Sequence, residues 1–377
     1  MTCGKCDQAA KDGYRYCPAC GSPLRGCDLC GSYADQGYDF CGKCGKDLRQ
    51  TRKDAQALDK AIFIAVPFVL AMLAIEAACM LIWFPETLDA AKGLALDMFV
   101  LLPSRIGLGT LTGAGLQAYW VLLVIVIIAS GLAMLYQSRA IFDRRSPNYV
   151  ESIGRTSLFW VSLMFTADMV VVLIIAAVEG SLGYTIAIPE GLPVDLSPES
   201  FLSYANAAVW EEVVSRIIPI GIPMAVVAAL SNKRDWPRYL LGGTGITKAA
   251  LIFMIASSVV FGLAHMDGWG AAKVIPMIFS GLVMSYLFVR FGAYASIMFH
   301  FLVDYTSILV AAVGTTIYGF ILIACIIIGF ISVLKLAKCL KDGFRRIHEI
   351  PTWVQDSMGS KRSWDSTADS KDLDSMM

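Results

Sequence analysis

The chain has almost no histidine, three residues in 377, and its 31 Lys and Arg are cancelled by 31 Asp and Glu. A net charge of zero excludes the broad electrostatic attraction that draws basic proteins to nucleic acid, or to acidic substrates. No HExxH, the helical signature of many zinc peptidases, occurs anywhere. The N-terminus has no basic flank followed by an apolar core, so no secretory signal is expected and the first true span should act as the membrane signal. Charged residues are scarce at 16%, against 56% hydrophobic residues and a positive mean hydropathy, which lies outside the usual soluble range.

Long apolar runs take the place of charge. Runs of spanning length fall near 61–84, 116–136, 156–178, 200–230, 249–265, 272–289, 293–312 and 315–334. The expected fold is therefore an all-α polytopic membrane protein of about eight transmembrane helices. Basic residues crowd the segment before the first span (Arg49, Arg52, Lys53, Lys60), the loops with Arg139, Arg144 and Arg145 and with Lys233, Arg234 and Arg238, and the final flank (Lys335, Lys338, Lys341, Arg345, Arg346). The loop 179–199 instead holds Glu179, Glu190, Asp195 and Glu199 with no Lys or Arg. The positive-inside rule then puts both termini in the cytoplasm, as an even number of spans requires. The stretch 86–115 has room for a re-entrant or surface helix, and a tight turn near Gly314 separates the last two spans.

Cysteine is as unevenly placed as charge. Eight of the eleven lie in the first 44 residues: Cys3, Cys6, Cys17 and Cys20, then Cys27, Cys30, Cys41 and Cys44. The second set repeats the first, each set being two CxxC knuckles ten residues apart, and Gly13/Gly37, Tyr14/Tyr38, Gly21/Gly45 and Leu24/Leu48 repeat with them. Units this short cannot bury a core of their own. Four thiolates in two knuckles suit a tetrahedral zinc ion, so two structural zinc ions are expected; a disulfide framework would need an oxidising compartment, whereas the topology puts this head in the cytosol. With all ligand positions filled by cysteine, no open site remains for catalysis. The pattern resembles a double zinc ribbon across 1–46. Ribbons of this kind bind proteins or nucleic acids, and without a dense basic run a protein partner is favoured over nucleic acid. Cys79, Cys325 and Cys339 read as packing residues in or beside spans.

The stretch WEEVVSR, 210–216, sets charge inside the fourth run. On an ideal helix Glu212 and Arg216 lie four residues apart, about 40° from one another, and can pair; Glu211 points about 100° away from Glu212. A carboxylate in hydrocarbon without a charge partner is costly and suits a general base. Two of the three histidines lie in later runs, His265 in FGLAH and His300 in HFLVD, where Phe261/His265 and His300/Asp304 share helical faces at i,i+4. A salt-bridged helix end or interhelical polar lock is the bland reading of the first cluster. Two histidines accompanying a carboxylate pair favour a site.

In this order the motifs EEVVSR, FGLAH and HFLVD resemble EExxxR, FxxxH and HxxxN/D of the CPBP family of membrane proteins, which includes CAAX proteases and bacteriocin-processing enzymes. The resemblance is close over roughly 200–310. It implies an intramembrane glutamate-dependent endopeptidase of the CAAX prenyl protease 2 type. Glu211 would deprotonate a water that His265 helps hold and activate, and His300 with Asp304 would stabilise the oxyanion. Glu212, Arg216 and Phe261 would support the site, and no catalytic metal is implied. The commonest third motif ends in Asn, whereas this chain has Asp304; an amide can donate to an oxyanion and an ionised carboxylate cannot. The implied substrate is a membrane-associated, prenylated or otherwise lipidated peptide or protein, although nothing in the residues encodes prenyl recognition.

The rival classes are a catalytically inactive membrane scaffold or immunity-type protein that presents the ribbons to a partner, a transporter, and a metalloprotease built on the two histidines and a glutamate. The expected organisation is a double ribbon over 1–46, a basic linker over 47–60, the helical protease domain over 61–335, and a polar, Ser/Asp-rich cytoplasmic tail over 336–377, disordered from about 351. Glu76 and Asp168 stand open between lining the cavity and bonding between helices. Ser280, Gly281 and Ser285 read as a stripe for close helix packing.

Overall fold

The computed structural model describes residues 60–101, 105–142, 152–186, 195–232 and 234–359. The cysteine head, most of the basic linker and residues 360–377 lie outside the described residues. Among the described residues, seven helices are long and apolar enough to cross a membrane, and a bent pair raises the number to eight. These eight coincide with the eight apolar runs, and the chain is an integral multi-pass membrane protein. Helices are the natural form for such runs because each backbone amide finds its acceptor within the segment, where the bilayer offers none.

The first span, Lys60–Ile82, contains α1 (Ala65–Ile82). After it come a short α2 (Phe84–Ala90) and an antiparallel hairpin of β1 (Ala95–Leu101) and β2 (Arg105–Thr112). Of the stretch 86–115, where a re-entrant or surface helix had room, α2 is the one short helix before α3 begins at Gly113, and the hairpin takes most of the rest. The strands hold Phe99, Val100, Ile106, Thr110 and Thr112 together with Gly107 and Gly109 in β2, residues that weaken helix and suit a bulged ladder. The register indeed shifts between Met98 and Phe99. The second and third spans are α3 (Gly113–Gln137) and α4 (Ser157–Ser181), the latter started by Thr156, whose hydroxyl accepts from Phe159 N–H at 3.3 Å.

The fourth span, Pro198–Leu230, is a composite of α5 (Pro198–Asn206), π-helical stretches Ala207–Glu211 and Val213–Gly221, and α6 (Ile222–Leu230). Pro219 supplies a reason for the departure: it has no N–H to give the Ser215 carbonyl that an α-helix would pair with it. Ser257 Oγ and Arg216 Nη1 donate to that carbonyl instead. The later spans comprise α7 (Lys248–Ala264) with a one-turn α8 (Met266–Trp269), then α9 (Val274–Phe291), preceded by a turn at Ala271–Lys273. α10 (Ala293–Asp304) and α11 (Thr306–Val313) form the bent pair, meeting at 41°, and α12 (Thr315–Gly359) closes the described chain.

The turn expected near Gly314 is present, with φ of 80°, a conformation that favours glycine. α12 is helical to Gly359, past residue 336 where the polar tail was expected to begin. The run LAKCLKDGFRRI combines apolar and basic residues of good helix propensity, and composition alone had concealed that. The chain from Val333 onward forms a separate unit.

The small-residue stripe does pack closely. A β-carbon on Gly281 would come within 3.2 Å of Ser258, and Ser258 and Ser285 hydroxyls lie 3.3 Å apart across α7 and α9. Asp168 on α4 accepts from Ser280 Oγ on α9 at 2.9 Å, so it bonds between helices. Glu76 on α1 is fully buried with neither oxygen hydrogen-bonded among the described residues. Large apolar side chains such as Leu122, Ile125, Leu132 and Ile252 remain exposed on the outer helix faces, as lipid contact requires.

Candidate active site

The π-helical part of the fourth span brings its charged residues against α10. Glu212 is enclosed: its side chain is 1% exposed, Ser296 Oγ donates to Oε2, and His300 Nδ1 donates to Oε1 at 3.0 Å. Arg216 Nε stands 3.6 Å from Glu212 Oε2, the pairing expected from their spacing. The guanidinium also lies over the Phe261 ring, 4.8 Å from its centre, and is completely buried.

Glu211 is the accessible member of the pair, 21% exposed. Its Oε2 lies 3.9 Å from His300 Nε2, so the two glutamates flank one imidazole on its two nitrogens. The ideal-helix reading, which turned Glu211 about 100° away from Glu212, is corrected here. The wider i→i+5 turn rotates successive side chains by less than the α-helical 100°, bringing both carboxylates toward α10.

Asp304, 23% exposed, places Oδ2 at 3.4 Å from the same Nε2. Since Nδ1 spends its hydrogen on Glu212, a neutral imidazole would turn the Nε2 lone pair toward two carboxylates. A stable approach at this distance needs a proton between Nε2 and Oδ2, carried by one atom or the other.

His265 caps the C-terminus of α7. Its Nδ1 lies 2.8 Å from the Phe261 carbonyl, and because a carbonyl only accepts, Nδ1 must carry the hydrogen. The neutral ring therefore keeps its lone pair on Nε2. Phe261 gathers the site physically: Arg216 lies over its face, its ring centre is 4.7 Å from that of His265 and 6.2 Å from that of His300, both edge-on. A buried aromatic hub explains why phenylalanine stands one turn before the histidine.

Two participants went unread in the sequence. Ser296 belongs to α10 one turn before His300, and an i,i+4 search from the histidine toward the N-terminus would have found it. Lys273, at the start of the sixth span, rests its ammonium 4.4 Å from the Trp269 ring centre. It was passed over because a basic residue at the end of a span reads as an interfacial anchor.

Trp210, beside Glu211, donates its indole N–H to the Phe99 carbonyl at 2.8 Å and so ties β1 to the fourth span. A cavity of about 410 Å³ lies nearby, lined by Leu101, Val214, Ser215, Pro219, Ala256, Ser257 and Val260. It is apolar, and the ionisable residues of the site are not in its wall. Among the described residues, no three His, Cys, Asp or Glu side chains are arranged to hold a metal ion.

Comparison with known families bears out the resemblance in the motifs. Residues 193–306 match the family described as Type II CAAX prenyl endopeptidase Rce1-like, and residues 3–50 match the double zinc ribbon. No curated protein and no solved structure matches the chain. The first region contains all seven residues of the three motifs.

Proposed function

From an Rce1-like region that holds Glu211, His265, His300 and Asp304 in one membrane-embedded protein, we propose an intramembrane endopeptidase that cuts a membrane-associated, prenylated or otherwise lipidated substrate with glutamate-activated water. The observation that carries this reading is the pairing of a partly accessible Glu211 with an enclosed Glu212 around one imidazole. One carboxylate is committed to structure and the other is free for chemistry. Glu211 takes a proton from water, and the lone pair of His265 Nε2 accepts the water's other hydrogen and fixes its direction. As the water oxygen adds to the carbonyl carbon, negative charge grows on the carbonyl oxygen. The proton shared by His300 Nε2 and Asp304 Oδ2 is the donor offered to it. Collapse of the adduct breaks the C–N bond, and the proton held by Glu211 passes to the leaving amine.

This account gives Asp304 the work of the family's usual Asn. The basic-loop pattern supports cytoplasmic termini. A comparison of protein N- and C-termini in cells carrying the wild type and Glu211→Ala tests the function: a small set of termini next to membrane or lipidated segments should be lost in the variant. Identical termini in the two strains would favour the inactive scaffold.

The head is assigned two structural zinc ions. Each four-cysteine set matches a closed tetrahedral site in donor type and number, so the metal supplies folding free energy and leaves catalysis to the membrane core. Purified full chain is expected to carry two zinc ions, with Cys20→Ser reducing the content to one. Metal-free protein with oxidised thiols would overturn the assignment.

A further inference from the structure

Ser215 differs from most hydroxyl residues of the spans. A serine or threonine inside a helix commonly gives its hydrogen to the carbonyl four residues back, and Ser231, Ser258, Thr306 and Ser332 do so here, on Val227, Met254, Leu302 and Ile328. Ser215 does not. It is 3% exposed, and its Oγ has no hydrogen-bond partner among the described residues. An unmet buried hydroxyl carries a cost that alanine at the same place would not. Ser162 on α4 is also unpartnered, but it has no place in the wall of the apolar cavity, whereas Ser215 forms part of that wall.

The cavity adjoins the reaction site along two helices. Ser215 follows Glu211 by four residues, about one turn and on the order of 6 Å along the axis. On α7, Ser257 in the cavity wall, Phe261 and His265 are spaced by four, so the facing wall reaches the histidine through the aromatic hub. Leu101 closes the cavity from β1, which the bond from Trp210 to the Phe99 carbonyl fixes to the span carrying Glu211. A cavity of about 150 Å³ holds a benzene molecule, so 410 Å³ admits a large apolar side chain together with the main chain that bears it. Water is poorly suited to the same space. It needs roughly two to four polar partners, and the hydrogen of Ser257 is already given to the Ser215 carbonyl.

An extended peptide inside a membrane domain must satisfy its carbonyls and amides with protein groups. The open O–H of Ser215 is a donor without an acceptor, and every residue of a peptide supplies one. We infer that Ser215 is a substrate-positioning residue, whose hydroxyl donates to the backbone carbonyl of the peptide residue that fills the cavity with its apolar side chain. One turn of helix matches about two residues of extended chain, so this residue lies within about two positions of the scissile bond. The inference rests on the endopeptidase reading and adds to it a contact that holds the peptide in register with Glu211.

A probe test requires no known substrate. Full chain carrying Glu211→Gln, in lipid nanodiscs, is photolabelled with three probes of one chain length bearing the same diazirine: an N-methyl amide, an N,N-dimethyl amide and a hydrocarbon. Labelling of the cavity wall is read by mass spectrometry and corrected for labelling of the lipid-facing Leu122, Ile125 and Leu132. Both amides should label the wall roughly fivefold more than the hydrocarbon, the effect of one neutral hydrogen bond. Ser215→Ala should remove the excess, Ser215→Thr should keep it, and Ala256→Phe, which fills the space, should block all three probes. Equal labelling by amides and hydrocarbon, or an excess that survives Ser215→Ala, would overturn the inference. An excess confined to the N-methyl amide would overturn the carbonyl assignment, since the hydroxyl would then be accepting an N–H. Stability gives a second reading. Ser215→Ala discards an unmet hydroxyl, so its melting temperature should match or exceed that of the parent; a lower one would assign the serine to structure instead. On the peptide identified from the altered termini, amide-to-ester replacement should reveal one position near the cut where the ester and Ser215→Ala each lower kcat/KM about fivefold and together lower it little further. Additive losses at every position would also overturn the inference. Loss of the endopeptidase reading would appear separately, as wild type that leaves all termini unchanged while the amide probes still favour the cavity.

Discussion

Glu211→Gln should lower the turnover number of the full chain by about a thousandfold and leave the folded yield near normal. The size follows from removing a general base, which contributes roughly 10² to 10⁴ in rate. The selectivity follows from geometry. Glutamine keeps the shape of Glu211, and among the described residues the ion-pair approach lost is the 3.9 Å one to His300 at a partly exposed position. Substrate affinity should hardly change, so the loss should fall on kcat, with KM within a few-fold. Glu212→Gln should behave in the opposite manner, since it weakens a buried carboxylate that serves Ser296, His300 and Arg216 together. Asp304→Asn should fall between them. The amide can still give a hydrogen to His300 Nε2, and activity is expected within roughly tenfold of wild type, whereas Asp304→Leu should lose on the order of a hundredfold or more, as for an oxyanion donor. Kinetics in liposomes, on a peptide identified from the altered termini, will decide. A Glu211→Gln enzyme within tenfold of wild type would remove the carboxylate from the reaction.

Much of this arrangement was legible beforehand because hydrocarbon makes polar residues conspicuous. Each of the eight runs became a span or the bent pair, since a backbone without water has few ways to satisfy itself. Glu212 and Arg216 paired as spacing required, and Phe261 met His265 across one turn. What failed to show were features set by helix geometry and by tertiary approach. The direction of Glu211 was misread because an ideal α-helix was assumed, although Pro219 within the same span was a visible warning that the hydrogen-bond register would change. Ser296 was invisible for another reason. A serine in an apolar run has many uses, and only the docking of α10 on the fourth span selects Glu212 as its acceptor. The hairpin over 95–112 was concealed by brevity, as its strands of 7 and 8 residues carry too few alternations to declare themselves between two strong helical runs.

Arg216→Met is expected to destabilise the membrane domain by about 3–5 kcal/mol, the range seen when one partner of a buried ion pair is removed. Arg216 is wholly buried, and its loss takes a contacting guanidinium from Glu212 while the Phe261 face loses its cation. Methionine retains much of the apolar bulk, so the cost reports charge more than cavity. The prediction becomes specific when Glu212 is changed too. In Glu212→Gln with Arg216→Met no charge is left uncompensated at these two positions, and stability should recover by more than half of the single-variant loss. Activity should not recover with it, because His300 Nδ1 would face an amide rather than the carboxylate that now fixes its ring. A thermal or denaturant melt in detergent, followed through the intrinsic tryptophans and paired with turnover, reads both quantities. If the two substitutions simply add, the buried pair is no unit, and the guanidinium is held mainly by Ser215 and the aromatic ring. If the double variant regains both stability and turnover, Glu212 has no part in orienting His300, and the assignment of one glutamate to structure and the other to chemistry fails with it.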